Sequence, residues 1–451
     1  MVTRVTSYRL NSDSSAPRRA LFLPHLDVLA HTGRSLLIAR ELVRRGWFVA
    51  FGGEGRYARL VSGAGIEVKP LPEMPATALV RESRSGRRWP FHSADQIRPF
   101  VAAEVECMKK FHPDVVVFDH RYSAGTSAEV MRIPRVAITN LWWTPYDTIG
   151  MGLPETYPLF IAMPRLRFIR RYAIARAVAK RVTSFMFWRW IKPYNIVRAE
   201  YNLPPLRSIL DLFDGDAVIL PDTPELMPSK NLPMTHHYVG PLVWEPTGSL
   251  PDELANVTGY VYVTMGSSAD PKVFDTAIEA LKLLNVAAIV TTGGVRKIEE
   301  FGTLPPHIKL YDFLPGSAAA ANASVVVCQG GIGTIYQALA NGKPLVGVPF
   351  MPEQEVYGIG AVERAGAGRA LSAHSLTPQL LADTIDAVRS DPRYTSAAKA
   401  LSLRIDPSSG PFRSADIVEK LVSSNRGAAE PVRNKSGEGE PTIWLDTKGS
   451  S

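Results

Sequence analysis

Short apolar, β-branched runs alternate with amphipathic stretches along this chain, and the alternation happens twice. In the first half the runs are "RALFLP", "WFVAFGG", "IEVKPL", "DVVVFD" and "IPRVAIT". Runs that are apolar throughout predict strands buried on both faces, as in a parallel sheet covered by crossover helices. The stretch "RSLLIARELVRRG" supplies the first helix, with Leu36, Ala39 and Val43 as its buried stripe. Arg40, Glu41, Arg44 and Arg45 are expected to stay solvated. The pattern breaks over the Pro-rich stretch from Pro221 to Pro251 and restarts with "GYVYVTMGSS", "VAAIVTTGG", "HIKLYDF", "SVVVC" and "PLVGVPF". A pattern that stops and restarts predicts two doubly wound α/β domains, with a ligand between them at the carboxyl ends of the strands.

At 451 residues the chain is long enough for two cores. The expected division is a flexible tail at 1–18, a first domain at 19–235, a linker at 236–258 and a second domain at 259–410. The stretch "FRSADIVEKLVSS", within 411–425, should form a helix that packs back on the first domain. The polar stretch 426–451 is expected to be disordered. The two cysteines, Cys107 and Cys328, lie far apart and make no metal-type spacing, so a reducing cytoplasm is the natural home. The first nineteen residues contain no apolar signal-peptide core. No uncharged run reaches the ~18 residues needed to span a bilayer.

The net charge of +8 is local. From Thr156 to Ala199 there is no Asp or Glu, whereas ten Lys and Arg fall there, so the rest of the chain nets −2. This excludes a general nucleic-acid coat and predicts one basic surface. Phe168, Tyr172, Ala175, Ala179, Val182 and Met186 recur there at helical spacing. They fit either a helix whose stripe packs on the first domain, or a peripheral contact of residues 165–198 with an anionic inner membrane face.

Several motifs compete for the chemistry. "CQGGIGTIYQALANG" places Gly330, Gly331 and Gly333 between an apolar run and a helix. Such a turn can bring backbone N–H groups up to a phosphate at a helix N-terminus, or can simply need a positive φ. "GEGRYA", from Gly53 to Ala58, fits the dinucleotide pattern and has Glu73 at a suitable distance. It follows the second strand, however, whereas that fingerprint belongs to the first βα turn. "DGD", from Asp214 to Asp216, precedes its apolar run and so lies at the wrong end of a strand for a metal-nucleotide role. HExxH, paired CxxC and GxSxG motifs are absent.

His31 ends the loop "HLDVLAH" and stands just before the first helix. A helix N-terminus disfavours imidazolium and so keeps histidine available as a base. Asp119 ends "DVVVFD". Parallel strands put both residues on one rim, where a carboxylate can orient the ring and stabilise it once protonated. A purely structural histidine at a turn would fit the same residues.

Together these stretches resemble a GT-B glycosyltransferase of the UDP-glycosyltransferase type, akin to bacterial natural-product and glycolipid glycosyltransferases, over about residues 19 to 425. "AHTGRSLLIARELVRRGWFVAF" is similar to the family's G-H-x-x-P loop with its helix and second strand, which implies a catalytic base at His31 with Asp119 as its partner. "VYVTMGSSAD" resembles the loop opening the donor domain, with Gly266, Ser267 and Ser268. "YDFLPG" is similar to the W-x-P-Q stretch and puts Phe313 where a ring stacks on the nucleotide base. "QGGIGTIYQALANGKPLVGVPFMPEQ" resembles the donor signature. There Gly330, Gly331, Gly333 and Thr334 would form a diphosphate cradle, and Glu353 with Gln354 would contact sugar hydroxyls.

Three positions depart from the pattern. Gln329 stands where a phosphate-binding histidine is usual, and Gln337 where a glutamate usually holds the ribose hydroxyls. Arg34 or Ser35 takes the place of the first loop's proline. Glutamine can still donate to phosphate and accept from a hydroxyl.

The resemblance implies two Rossmann-like domains facing a cleft. It also implies inverting transfer of a hexosyl group from a UDP- or dTDP-sugar to a hydroxyl of a small-molecule or lipid acceptor, without metal or further cofactor. A sugar-nucleotide epimerase shares this architecture. A non-catalytic partner protein of the same fold is the other alternative, favoured by Gln329 and Gln337 and opposed by an intact His31–Asp119 pair.

Overall fold

The computed structural model describes residues 17–75, 93–246, 248–266 and 271–429. Seven parallel strands form the first sheet: β1 (Arg19–Pro24), β2 (Phe48–Gly52), β3 (Glu67–Lys69), β4 (Val115–Asp119), β5 (Arg135–Ile138), β6 (Ala217–Leu220) and β7 (His236–Tyr238). Their spatial order is β3-β2-β1-β4-β5-β6-β7. The second sheet holds β8 (Tyr260–Thr264), β9 (Ala288–Thr291), β10 (Ile308–Tyr311), β11 (Ala323–Cys328), β12 (Leu345–Gly347) and β13 (Gly368–Ala370), in the order β10-β9-β8-β11-β12-β13. Both are doubly wound, and in each the order reverses beside the first strand. That reversal opens a crevice at the strands' carboxyl ends.

The apolar runs are buried as their composition requires. All five residues of β4, Val115 to Asp119, are inaccessible, and so are nearly all of β1, β8 and β11. On one side of the first sheet, Phe22, Leu36, Ala39, Leu42 and Val117 form a core that Ala415, Val418 and Val422 complete. Those last three lie on the helix Gly410–Ala429, which packs against the first sheet's core. The docking is reinforced at its edge. Arg45 reaches Glu41, Asp416 and Glu419, and the Trp47 indole donates to Glu419 Oε1 at 3.1 Å.

Three expectations need correction. Val43 is 45% exposed; the buried side of the first helix, Leu29–Arg44, runs through Leu36, Ile38, Ala39 and Leu42 instead. Arg45 is likewise drawn out of full solvation by its three carboxylates. The first sheet also extends one strand further than a boundary at residue 235 allows, because β7 pairs with β6 through Val218–His236. The histidine-rich sequence "HHY" carries little strand signal of its own.

Candidate active site

Asp119 is the last residue of β4 and is fully buried. The helix Leu29–Arg44 begins two residues before His31, so His31 lies in its first turn. His31 Nδ1 is 2.8 Å from Asp119 Oδ1. One helical turn later, Arg34 spans the same carboxylate: Nε donates to Oδ2, and Nη2 donates to Oδ1 at 2.6 Å. Residues three apart share a helix face, which is why both side chains reach one acceptor. Burial by itself would raise the Asp119 pKa, but the Arg34 charge and the His31 contact outweigh it and hold the carboxyl well below its usual range. Asp119 Oδ1 and Arg34 Nη2, the latter at 3.1 Å, both face Nδ1 of the His31 ring.

The network continues inward. Arg34 Nη1 donates to Asn140 Oδ1 at 2.8 Å, and Asn140 Nδ2 donates to Asp222 Oδ1 at 2.8 Å. Asp222 Oδ2 accepts from the Leu141 backbone N–H at 2.8 Å. Burial pushes the Asp222 carboxyl up to about 6, although these donors work against it.

His120, with a left-handed φ of 51°, folds its ring onto His31 with centroids 4.3 Å apart. Phe213 lies 4.8 Å from the His120 ring on another side, and burial drives the His120 pKa well below its ordinary value. The wall beside His31 is thus a neutral, largely aromatic one. His31, Asp119 and His120 bring ligand-type atoms within 4.8 Å of one another. The Asp119 carboxylate is already clasped by a guanidinium, however, and a divalent cation there would face that charge directly.

The second domain offers a helix N-terminus. After β11, Gln329 is buried, Gly330 turns at φ +87°, and Gly331 caps the helix Ile332–Ala340. A Cβ on Gly330 would sit 3.0 Å from the Gln354 carbonyl, so both its conformation and its close approach require glycine. A Cβ on Gly331 would meet only Gln329 Nε2, at 3.8 Å. That side is open, and the first N–H groups of a helix have no intrahelical partner. Gly333 and Thr334 lie in the same first turn. Gly266, at φ +65°, follows the adjacent strand, and a Cβ on it would sit 3.0 Å from Gln329 Nε2. Ser267 and Ser268 lie outside the described residues.

Phe313, just past β10, is 57% exposed and stands beside Gly294, so its ring has a face to offer. Gln354 spends its carbonyl on its own loop, accepting from Phe350 N at 3.0 Å and Met351 N at 3.2 Å, which leaves only amide hydrogens for a ligand. Burial raises the Glu353 pKa. Gln337 donates to Glu245 Oε2 at 3.3 Å, and the same oxygen accepts from Ser317 N at 2.8 Å. A carboxylate from the connecting segment therefore stands beside the glutamine.

That segment also sets the two halves against each other. Trp244 packs so closely on the first helix that a Cβ at Gly33 would lie 2.5 Å from Trp244 Cβ. Val243 lies against Gly333, and Thr223 N donates to the Tyr336 hydroxyl at 2.9 Å. Farther along the cleft, Glu355 accepts from Glu155 N at 2.8 Å and Thr156 N at 2.9 Å. The His31 helix and the Gly331 helix are thus held at one connecting segment, each by its N-terminal turn.

The competing motifs fall away on geometry. A Cβ at Gly55 would lie 2.1 Å from the Leu26 carbonyl carbon, so the chain itself fills the space a dinucleotide would need. Asp216 accepts from Arg135 N at the starting end of β5 and β6, opposite the rim. Arg34, Asn140, Asp222, His120 and Glu245 complete the site without having been singled out as its members. Arg34 had a signal in its three-residue spacing from His31; Asn140 and Asp222 each lie two residues past a strand end.

Residues 278–423 match the erythromycin biosynthesis protein CIII-like C-terminal domain. The PGL/p-HBAD biosynthesis rhamnosyltransferase of Mycobacterium bovis is 33% identical over 390 residues, covering 85% of this chain and 84% of that protein. Among solved structures, the calicheamicin glycosyltransferase superposes with a TM-score of 0.66 at 20% identity, covering 91% of this chain and 99% of that one. The glycosyltransferase VinC, in complex with dTDP, gives a TM-score of 0.63 at 17% identity, covering 90% of this chain and 100% of that one. The two parallel-sheet domains have the GT-B fold, and the chain belongs to the glycosyltransferase family of its mycobacterial relative.

Proposed function

We propose that this glycosyltransferase moves a hexosyl group from a dTDP- or UDP-sugar to a hydroxyl of a small-molecule or lipid acceptor, with inversion at the anomeric carbon. The observation that carries this reading is the 2.8 Å pairing of His31 Nδ1 with the buried Asp119, which directs Nε2 as the base. The acceptor O–H gives its proton to Nε2 while its oxygen attacks the anomeric carbon. The bond to the diphosphate breaks on the opposite face and its electron pair leaves with the diphosphate oxygen. Asp119 stabilises the imidazolium that forms. Developing charge on the diphosphate is met by the N-terminus of the Ile332–Ala340 helix and by the Gln329 amide, so no metal is required.

Phe313 would stack on the base, and Glu353 with Gln354 would hold the sugar. Glu245 beside Gln337 supplies the carboxylate that position 337 lacks, which weighs against a non-catalytic reading of the two glutamines. A sugar-nucleotide epimerase would have no use for a base held ready for an acceptor. The neighbour solved with dTDP and the rhamnosyltransferase relative put dTDP-sugars first among the donors to try. The test is a donor panel of dTDP- and UDP-sugars with hydroxyl acceptors, run with EDTA and without. Expected is an acceptor-dependent product of inverted anomeric configuration in both. Retention, or activity lost to EDTA and restored by magnesium, would contradict the mechanism.

A further inference from the structure

The helix Ala173–Trp190 buries none of its residues. Ile174, Val178, Val182, Phe185 and Trp188 fall within about one third of its circumference at roughly 100° per residue. Each is about half exposed or more, and Ile174 reaches 75%. Met163, Phe168 and Tyr172 carry the apolar surface onto the preceding 3-10 turn. The sequence pattern had offered Phe168, Tyr172 and Val182 to a buried stripe; all three face outward, and only Ala175, Ala179 and Met186 of that set are half-buried. Phe187 and Trp190, on the other side, pack against the core around Tyr194 and Phe213, which anchors the helix and fixes its outer face.

Part of the charge shares this surface. Of the ten cations between Thr156 and Ala199, Arg170 turns inward to Glu155 and Glu355, and Arg198 to Glu129. The others make no ion pair among the described residues. Arg181 and Arg189 are interleaved with the apolar stripe, and the Lys192 ammonium sits 3.8 Å from the Trp188 ring centroid.

An apolar stripe interleaved with unpaired cations is complementary to an anionic lipid surface, where headgroups pair with the cations and the acyl boundary receives the side chains. A second copy of this chain would add like charge, and a nucleic acid would leave the aliphatic stripe uncovered. No helix among the described residues is long and apolar enough to cross a membrane, so the contact would be lateral. Arg170 also fixes where the surface stands. Its Nη2 is 3.3 Å from Glu355 Oε1, and Glu355 directly follows Gln354. The basic apolar face thus begins at the edge of the cleft.

We propose that residues 163–190 dock this protein on an anionic membrane surface, with the cleft opening beside the lipid. The test is co-sedimentation with vesicles of phosphatidylcholine alone or mixed with phosphatidylglycerol, at low and high salt. It requires no turnover, so it can fail without touching the transferase reading. Wild type should pellet only with the anionic vesicles and less as salt rises. The variant R181Q/R189Q/K192Q should bind at least tenfold more weakly, since each cation near such a surface is worth about fivefold. The variant I174S/V178S/F185S should lose the binding that survives high salt. Thermal unfolding of both variants establishes that they fold.

Equal pelleting with neutral and anionic vesicles would overturn the proposal, as would no pelleting at low salt. So would a wild-type dimer in solution that I174S/V178S/F185S converts to monomer.

Discussion

Arg34 clasps both carboxylate oxygens of Asp119, one turn along the helix that also carries His31. A buried aspartate without that guanidinium would be an uncompensated charge. Arg34→Met should therefore destabilise the fold by about 3–5 kcal/mol, the usual result of removing one member of a buried ion pair. Arg34→Lys should restore part of the stability but less of the activity, because an ammonium cannot span both oxygens. Urea unfolding measures the first effect and transfer kinetics the second; equal stability of wild type and Arg34→Met would contradict the account.

The same pair has a pH signature. The Asp119 pKa is depressed in the folded state, so its contribution is present above the unfolded carboxylate value of about 3.9 and is lost as pH falls through the folded one. In Arg34→Met, burial is left to raise that pKa. Asp119 should then titrate at higher pH, and the loss of activity on acidification should move upward with it. A pH–rate profile of the variant parallel to that of wild type would argue against this.

Asp222 behaves in the opposite sense. Its carboxyl is pushed up to about 6, so the folded state favours the proton. That stabilisation is complete below the unfolded value of about 3.9 and disappears as pH rises through the folded pKa, a change of up to about 3 kcal/mol. Unfolding free energies measured from pH 4 to 8 should show this slope in wild type. Asp222→Asn, which cannot titrate, should lose it, and an unchanged slope would remove Asp222 as its source.

Neighbouring glycines should fail differently. Gly330→Ala forces a Cβ into φ +87° and to 3.0 Å from a carbonyl, so it should lower stability by about 1–2 kcal/mol. Gly331→Leu places its side chain in open space and should leave the melting temperature nearly unchanged while blocking nucleotide binding. Phe313→Ala should weaken nucleotide binding by about 1–3 kcal/mol through the lost stacking face. Calorimetric titration with dTDP and UDP, beside thermal melts, separates these outcomes.

Much of this was legible in the sequence because it rests on local rules. Continuous apolar runs gave the parallel sheets, the Gly330–Gly333 turn announced a helix N-terminus, and strand-end positions put His31 and Asp119 on one rim. What stayed hidden depends on distances between elements. Val43 reads as core until the C-terminal helix is seen to cover a different face. Arg34 reads as a departure until β4 brings Asp119 beneath it, and Glu245 reads as linker until it meets Gln337. The decoy at Gly53–Ala58 already sat on the wrong strand in the sequence, and the backbone of Leu26 and Asp27 closes the space before Gly55.

The central claim is that His31 removes the acceptor proton under the direction of Asp119. His31→Ala, assayed with saturating donor, tests it most directly. Transfer should fall by about 10²–10⁴, the contribution of a positioned general base, with Asp119→Asn also slowed. Nucleotide affinity, which the proposed mechanism assigns to the Gly331 helix across the cleft, should remain as in wild type. Near-normal turnover in His31→Ala would contradict the account.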